Sequence, residues 1–425
     1  MTSLPLAGVR VLDMGQFWAA PNAGRAWADA GAEVIKVESL HRPDPLRIQA
    51  RGIYPDHDAG NDHWNRSGMV NERNRNKLGI AIDLQHERGK ELFLELVKVS
   101  DAVSQNYSAG VLPRLGLGYD ALSAVNPRVI LLSIMSQGLT GPESAYVSYG
   151  PNLEQLGGIS HLSGYPDDPD SSVGFALPDP LGGAVAALAL MAALRHREES
   201  GAGMHIDLSQ REAATLVIGD AVVEQSLTDE EPPRLGNHER GRLPSQCYPC
   251  AGDDQWVAIS IGSDHEWAAL CAAMDRPEAA NDERFATIVA RSRHRDEVDR
   301  LVGGWTAKHD KQELMADLQS RGVTAGAVLN PRELFRDAHL RERGFWESVT
   351  DYSAGPQEYY GRPMRFSATP YGTRTPTPQL GQHTRQVLHD LADVSEAELD
   401  ALEAEGVIGT EPMLSAEGGI ARGGR

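Results

Sequence analysis

An α/β fold built on a mostly parallel sheet is what this 425-residue sequence predicts. Short runs rich in Val and Ile alternate with segments of helical spacing through the first half of the chain. Such alternation marks βαβ units, whose crossovers set neighbouring strands parallel. Apolar residues make up 41% of the chain and charged residues 24%, which suits a packed interior. The length suits two domains or one elaborated domain.

Val9-Arg-Val-Leu-Asp13 reads as the first strand, and the small-residue run from Ala19 to Gly31 as a helix. Glu33–Val37 and Gly79–Asp83 are the next strands. Glu87 to Val99 carries Leu92, Leu94, Leu96 and Val97 at helical spacing. Ala102-Val103 and Arg128–Ser133 add two strands. Asp179-Pro-Leu-Gly-Gly-Ala opens a helix, with Asp179 near its N-cap and Pro180 in its first turn. His205–Leu208 is a further strand, and Ser209 caps a helix running to Val223. The chain turns polar and proline-rich around Thr228–Pro233, as a linker would. Trp256–Ser260 is a strand among charged helices. Composition changes again near Gly344–Gly361, after which Pro and Gly are frequent and periodicity is weak. A short amphipathic helix over Ser395–Gly406 precedes the tail Gly418–Arg425, expected to be disordered.

Sixty acidic against forty basic residues give a net charge of −20. That balance excludes nucleic acid as a general partner, because backbone binding needs a basic face. An anionic ligand must instead meet a local basic pocket. The opening Met1-Thr-Ser-Leu-Pro5 has no secretory pattern, and the apolar stretch Leu181–Leu194 is too short for a bilayer. A cytoplasmic protein without a membrane partner is expected.

Ligands of parallel sheets sit beyond the carboxyl ends of the strands, so the residues there are the candidates. Gly15-Gln-Phe-Trp-Ala-Ala20 lacks the glycine fingerprint of a dinucleotide binder, and Gly116-Leu-Gly118 follows no strand. Cys247-Tyr-Pro-Cys250 has redox or half-zinc spacing but no second pair, which favours a structural role. Asp179 has two readings: a helix cap, or a carboxylate nucleophile able to form an acyl-enzyme. Asn71-Glu-Arg-Asn-Arg-Asn-Lys77 concentrates three cations before a strand, as a solvated loop or as a seat for phosphate. Asn106, Tyr107 and Arg114 follow another strand and offer a stacking surface and a charge.

Ordered matches along the chain then identify a family. They include Leu6-Ala-Gly-Val-Arg-Val-Leu-Asp13, Asp29-Ala-Gly-Ala-Glu-Val-Ile-Lys-Val-Glu38, Asn76-Lys77, Gln105-Asn-Tyr107, Leu115-Gly-Leu-Gly118, Asn126-Pro-Arg128, Thr140-Gly-Pro142 and Leu380-Gly-Gln-His383. With these the chain resembles the family III CoA-transferases, which include formyl-CoA transferase, carnitine CoA-transferase and the related α-methylacyl-CoA racemases. The resemblance implies a Rossmann-like large domain from residues 1–225 and 345–425. A smaller α+β domain (226–344, with linkers) would be inserted, and two subunits would interlock as a homodimer. It implies no metal or redox cofactor, with coenzyme A entering as substrate.

The family's catalytic aspartate falls on Asp179. Its CoA-contacting segments fall on Gln16, Phe17 and Trp18; on Asn74, Arg75, Asn76 and Lys77; and on Asn106, Tyr107, Arg114, Met135 and Gln137. The implied activity moves CoA from an acyl-CoA to a carboxylic acid through an aspartyl anhydride and thioester, with helix N-terminal amides near Asp179 stabilising oxyanions. Two departures point away from formate and oxalate. Trp18 stands where formyl-CoA transferase has glutamine, and Arg240-Gly-Arg-Leu-Pro-Ser-Gln246 replaces its small-domain glycine loop. One alternative is a racemase or epimerase of the same superfamily. Its second base, a histidine, aligns with Tyr149, while His161 is near but out of register. The other alternative is a CoA-binding protein without catalysis.

Overall fold

Why the strands pair as they do follows from their burial. β1 (Arg10–Asp13), β2 (Glu33–Glu38), β3 (Leu78–Ala81), β4 (Ala102–Gln105) and β5 (Ile130–Met135) are almost wholly buried, and β6 (Met204–Ser209) closes one side. Strands buried on both faces suit a parallel sheet covered by helices. The computed structural model, which describes residues 4–48, 53–169 and 173–413, shows that sheet in the order β3-β2-β1-β4-β5-β6, with every pairing parallel. The predicted disordered tail lies outside the described residues.

Alternate side chains feed two apolar layers. Val11, Val34, Ile130 and Leu132 face α1 (Ala19–Asp29). Leu12, Ile35, Ile80, Val103 and Leu131 face Leu92, Phe93 and Leu96 of α2 (Glu87–Lys98). In the first layer α1 packs on α3 (Pro178–Ser200), the helix that carries Asp179. Small residues allow close contact: a Cβ on Gly183 would lie 2.7 Å from the Ala19 carbonyl oxygen. Leu181–Leu194 is thus part of a packed helix. Among the described residues no helix is long and apolar enough to cross a membrane.

The free edge of β3 is closed by the far end of the chain. Gly79 N–H donates to His383 Nδ1 at 3.0 Å, and Ala81 N–H to Thr384 Oγ1 at 2.9 Å. Helix Thr384–Ala392 adds Val387 and Leu388 to the layer. Sequence periodicity missed this helix, because it is short and follows a Pro- and Gly-rich stretch. The helix expected from Ser209 to Val223 is also two helices, Gln210–Val217 and Gly219–Thr228, with Ser209 Oγ capping the first.

The basic run before β3 serves the same closure. Arg75 pairs with Asp29 at 2.7 Å and donates to Tyr360 O at 2.6 Å. Asn76 bridges Asp29 and the 372–375 backbone. Asn74 accepts from Lys77 at 2.9 Å and donates to Val70 O at 3.0 Å. Lys77 also donates to Asp13 at 2.7 Å and to Pro21 O at 2.9 Å.

Among the described residues this sheet unit takes residues up to 159, 173–223 and 341 onward; a second unit takes 160–169 and 224–340. The second unit holds a three-stranded antiparallel sheet of Ser245–Pro249, Trp256–Ser260 and Ala325–Ala327. Its core includes Trp267, Leu270, Val298, Val302 and Leu318. Cys247 lies in the first of these strands and Cys250 just after it. Both are free thiols, pushed up in pKa by burial and so poor nucleophiles.

Candidate active site

Strand order reverses at β1 and β4, which are neighbours whose onward connections diverge. A crevice opens beyond their carboxyl ends for that reason. Asn106 ties the two ends together: its Nδ2 donates to Gln16 O and its Oδ1 accepts from Gln16 N, both at 2.8 Å. Phe17 is held in a left-handed conformation, φ 60°, with its N–H on Asp44 Oδ1 at 3.2 Å. Strain of this kind persists where the surroundings over-determine the backbone. Here fully buried Lys36 does so, donating to Asp44 at 3.2 Å and to Gly15 O at 2.7 Å.

A cavity of 1210 Å³ fills the crevice. It exceeds the roughly 300–1,000 Å³ of most small-ligand sites, which suits a long ligand. Gln16, Phe17, Trp18, Asn106, Tyr107, Arg114, Met135 and Asp179 all line it. The structure does not bring the rest of the expected set there. Asn74, Arg75, Asn76 and Lys77 point into the interior contacts just described, and Gln137 lines a separate depression, donating to Ser148 Oγ at 3.0 Å. At the mouth, exposed Arg42 and Arg114 supply positive charge.

Asp179 is not the helix cap that its sequence position suggests. It is the second residue of α3; Leu177 is the N-cap, without a side-chain bond. The amides expected to serve an oxyanion are not on offer either. Pro178 and Pro180 lack an N–H, and those of Asp179 and Leu181 donate to Ala176 O and Leu177 O. The segment leading into α3 is held by Glu154, fully buried, whose carboxylate accepts from Leu177 N at 3.0 Å and Val173 N at 3.1 Å. Ala176 is strained at φ 52°. Across from it, Gly150 leaves room for the carboxylate: a Cβ there would sit 2.6 Å from Asp179 Oδ2 and 2.1 Å from Ala176 Cβ.

Desolvation is the main influence on Asp179 and pushes its pKa up to about 6. Arg73 pulls it down, and the Glu154 charge adds to the rise. Arg73 also lines the cavity, with its guanidinium 4.4 Å from the centre of the Trp18 ring. Tyr149 sits on the cavity wall edge-on to Phe17, ring centres 5.4 Å apart. His161 belongs to the second unit, where it pairs with Glu231 at 2.8 Å.

Sequence reasoning missed Glu154 and Gly150, which carry no local signal. Arg73 was visible within the basic run but not distinguishable from its neighbours.

Comparison with known proteins adds the family. The sequence profile described as CoA-transferase family III matches residues 6–384. The chain belongs to the family III CoA-transferases. Succinyl-CoA–D-citramalate CoA-transferase of Chloroflexus aurantiacus is 36% identical over 404 residues, covering 95% of this chain and 98% of that one. Succinate–glutarate CoA-transferase of Agrobacterium fabrum is 30% identical, covering 92% and 96%. Among solved structures, a CAIB/BAIF family protein from Brucella suis superposes with a TM-score of 0.83 at 29% identity, covering 92% of this chain and all of that one. The mixed α/β architecture and parallel sheet are therefore those of a family III CoA-transferase.

Proposed function

We propose that this enzyme transfers CoA from an acyl-CoA to a carboxylic acid through covalent intermediates on Asp179. One observation carries the reading: Asp179 is a partly buried carboxylate without a capping role, set on the wall of the strand-end cavity. Relatives named for succinyl-CoA, citramalate and glutarate support transfer between an acyl-CoA and a carboxylate.

An Asp179 Oδ attacks the donor thioester carbonyl, and the C–S bond breaks to release CoA thiolate and leave a mixed anhydride. The thiolate attacks the aspartyl carbonyl and expels the donor's carboxylate, giving an aspartyl-CoA thioester. The acceptor carboxylate attacks that thioester, re-forming an anhydride and the thiolate. Thiolate attack on the acceptor carbonyl yields the new acyl-CoA and frees Asp179. Partial desolvation raises the basicity of the attacking carboxylate. Residues Gln16 to Trp18, Asn106, Tyr107 and Met135 would flank the CoA arm, and Arg114 with Arg42 would meet its phosphates. No metal or redox group takes part in these steps.

Incubation with a panel of acyl-CoAs and carboxylic acids should yield new CoA esters by mass spectrometry. If only free CoA appears, or only α-carbon exchange in deuterium oxide, this reading is wrong.

We further propose an obligate interlocked homodimer. The sheet unit leaves Leu188, Met191, Leu216, Val217, Val222 and Val223 exposed, Leu216 by 77%. Exposed apolar side chains on adjoining helices suit a subunit interface. Light scattering should find a dimer down to nanomolar protein; a folded, active monomer would contradict this.

A further inference from the structure

Arg73 is 6% exposed, yet its charge is incompletely answered. Among the described residues its side chain makes one hydrogen bond, from Nη1 to Met69 O at 2.5 Å. Its Nε is buried and has no hydrogen-bond partner among the described residues. Glu72 Oε2 lies 3.3 Å from Nε but is not aligned to accept, and the other Glu72 oxygen takes Arg25 at 2.7 Å. Two guanidinium groups thus share one carboxylate. A guanidinium has five N–H donors and does not deprotonate in proteins, so a buried one with a single bond is short of an acceptor. Trp18 covers one face of the group and fixes its plane.

The vacant donors belong to a group that lines the same cavity as Asp179 and lowers that carboxyl's pKa. A substrate bound in that cavity is therefore the acceptor open to Arg73. Phosphates have exposed Arg42 and Arg114 at the mouth. A planar fork beside the nucleophile matches a carboxylate. Resting on the transferase reading, we propose that Arg73 binds the distal carboxylate of a dicarboxylic substrate, so that the acids exchanged are dicarboxylates. Charge supports the order of events. When Asp179 is esterified its negative charge is gone, Arg73 is left less compensated, and the covalent enzyme holds an incoming dianion more tightly than the free enzyme does.

The test compares succinate and glutarate with butyrate and valerate as acceptors, using succinyl-CoA and butyryl-CoA as donors, for wild type and Arg73→Met. Wild type should favour each dicarboxylate over its monocarboxylate match by roughly 100-fold or more in kcat/KM, since a site with buried donors rejects a ligand that leaves them unpaired. Arg73→Met should bring that ratio to within about threefold, mainly through the dicarboxylate KM, and Arg73→Lys should restore part of it. Wild-type enzyme that uses monocarboxylates equally well overturns the proposal without any variant. So does a loss in Arg73→Met that is equal for both classes, or that appears as a raised KM for butyryl-CoA. An Asp179 adduct trapped from donor alone separates these outcomes from failure of the transferase reading, which its absence with every donor would signal.

Discussion

Asp179→Asn is expected to leave a folded protein whose CoA transfer has fallen by at least about 10⁴-fold, the scale seen when a covalent nucleophile is removed. An amide cannot form the anhydride. Folding should not suffer, because the Asp179 side chain caps nothing. The pH dependence follows from the same carboxyl group. Its pKa in the folded protein is about 6, above the ordinary 3.8, chiefly through desolvation. Attack needs the ionised form, so acylation should rise with pH through about 6 and level off above it. For stability the sign is opposite. The folded state binds this proton more tightly than the unfolded state, so wild type loses stability as pH rises from about 4 to 6. Asp179→Asn lacks that loss. Its Tm should equal or exceed wild type above pH 6, with the advantage vanishing below pH 4. Differential scanning calorimetry at the two pH values, beside steady-state rates, checks both.

Lys77→Ala is expected to damage folding rather than substrate binding. Both members of the Lys77–Asp13 pair have side chains 0% exposed, 2.7 Å apart. Removing the lysine leaves Asp13 charged in the interior, a change that typically costs about 3–5 kcal/mol. Whole domains are stable by only about 5–15 kcal/mol, so urea unfolding should show a large fall in midpoint. Asp13 also accepts from Gly15 N at 2.9 Å, at the start of the cavity loop. Lys77→Met with Asp13→Leu should recover much of the lost stability, because no lone charge then remains. A stable Lys77→Ala enzyme with only a raised donor KM would instead make Lys77 a nucleotide contact.

These two residues mark how far the sequence reaches. The strands from Val9 to Leu208 are legible because short stretches rich in Val, Ile and Leu alternate with segments of helical spacing, and Asp179 because it opens a helix just where ligands of parallel sheets sit. What separates a nucleophile from a cap is the direction of one carboxylate, and that depends on Gly150, Glu154 and the prolines around it. The basic run shows the same limit. Its charge is plain in the sequence, but the partners Asp13 and Asp29 lie 64 and 46 residues from the groups they bind. Spacing therefore could not tell which cations turn inward and which one, Arg73, faces the cavity.

Trapping the covalent bond to Asp179 decides whether the carboxylate is a nucleophile. Wild-type protein would be mixed with an acyl-CoA that it uses and with hydroxylamine, digested with protease, and examined by mass spectrometry. A hydroxamate is expected on the peptide containing Asp179, dependent on the acyl-CoA and missing from Asp179→Asn. An unmodified Asp179 peptide under turnover, or a hydroxamate on another residue, would contradict it.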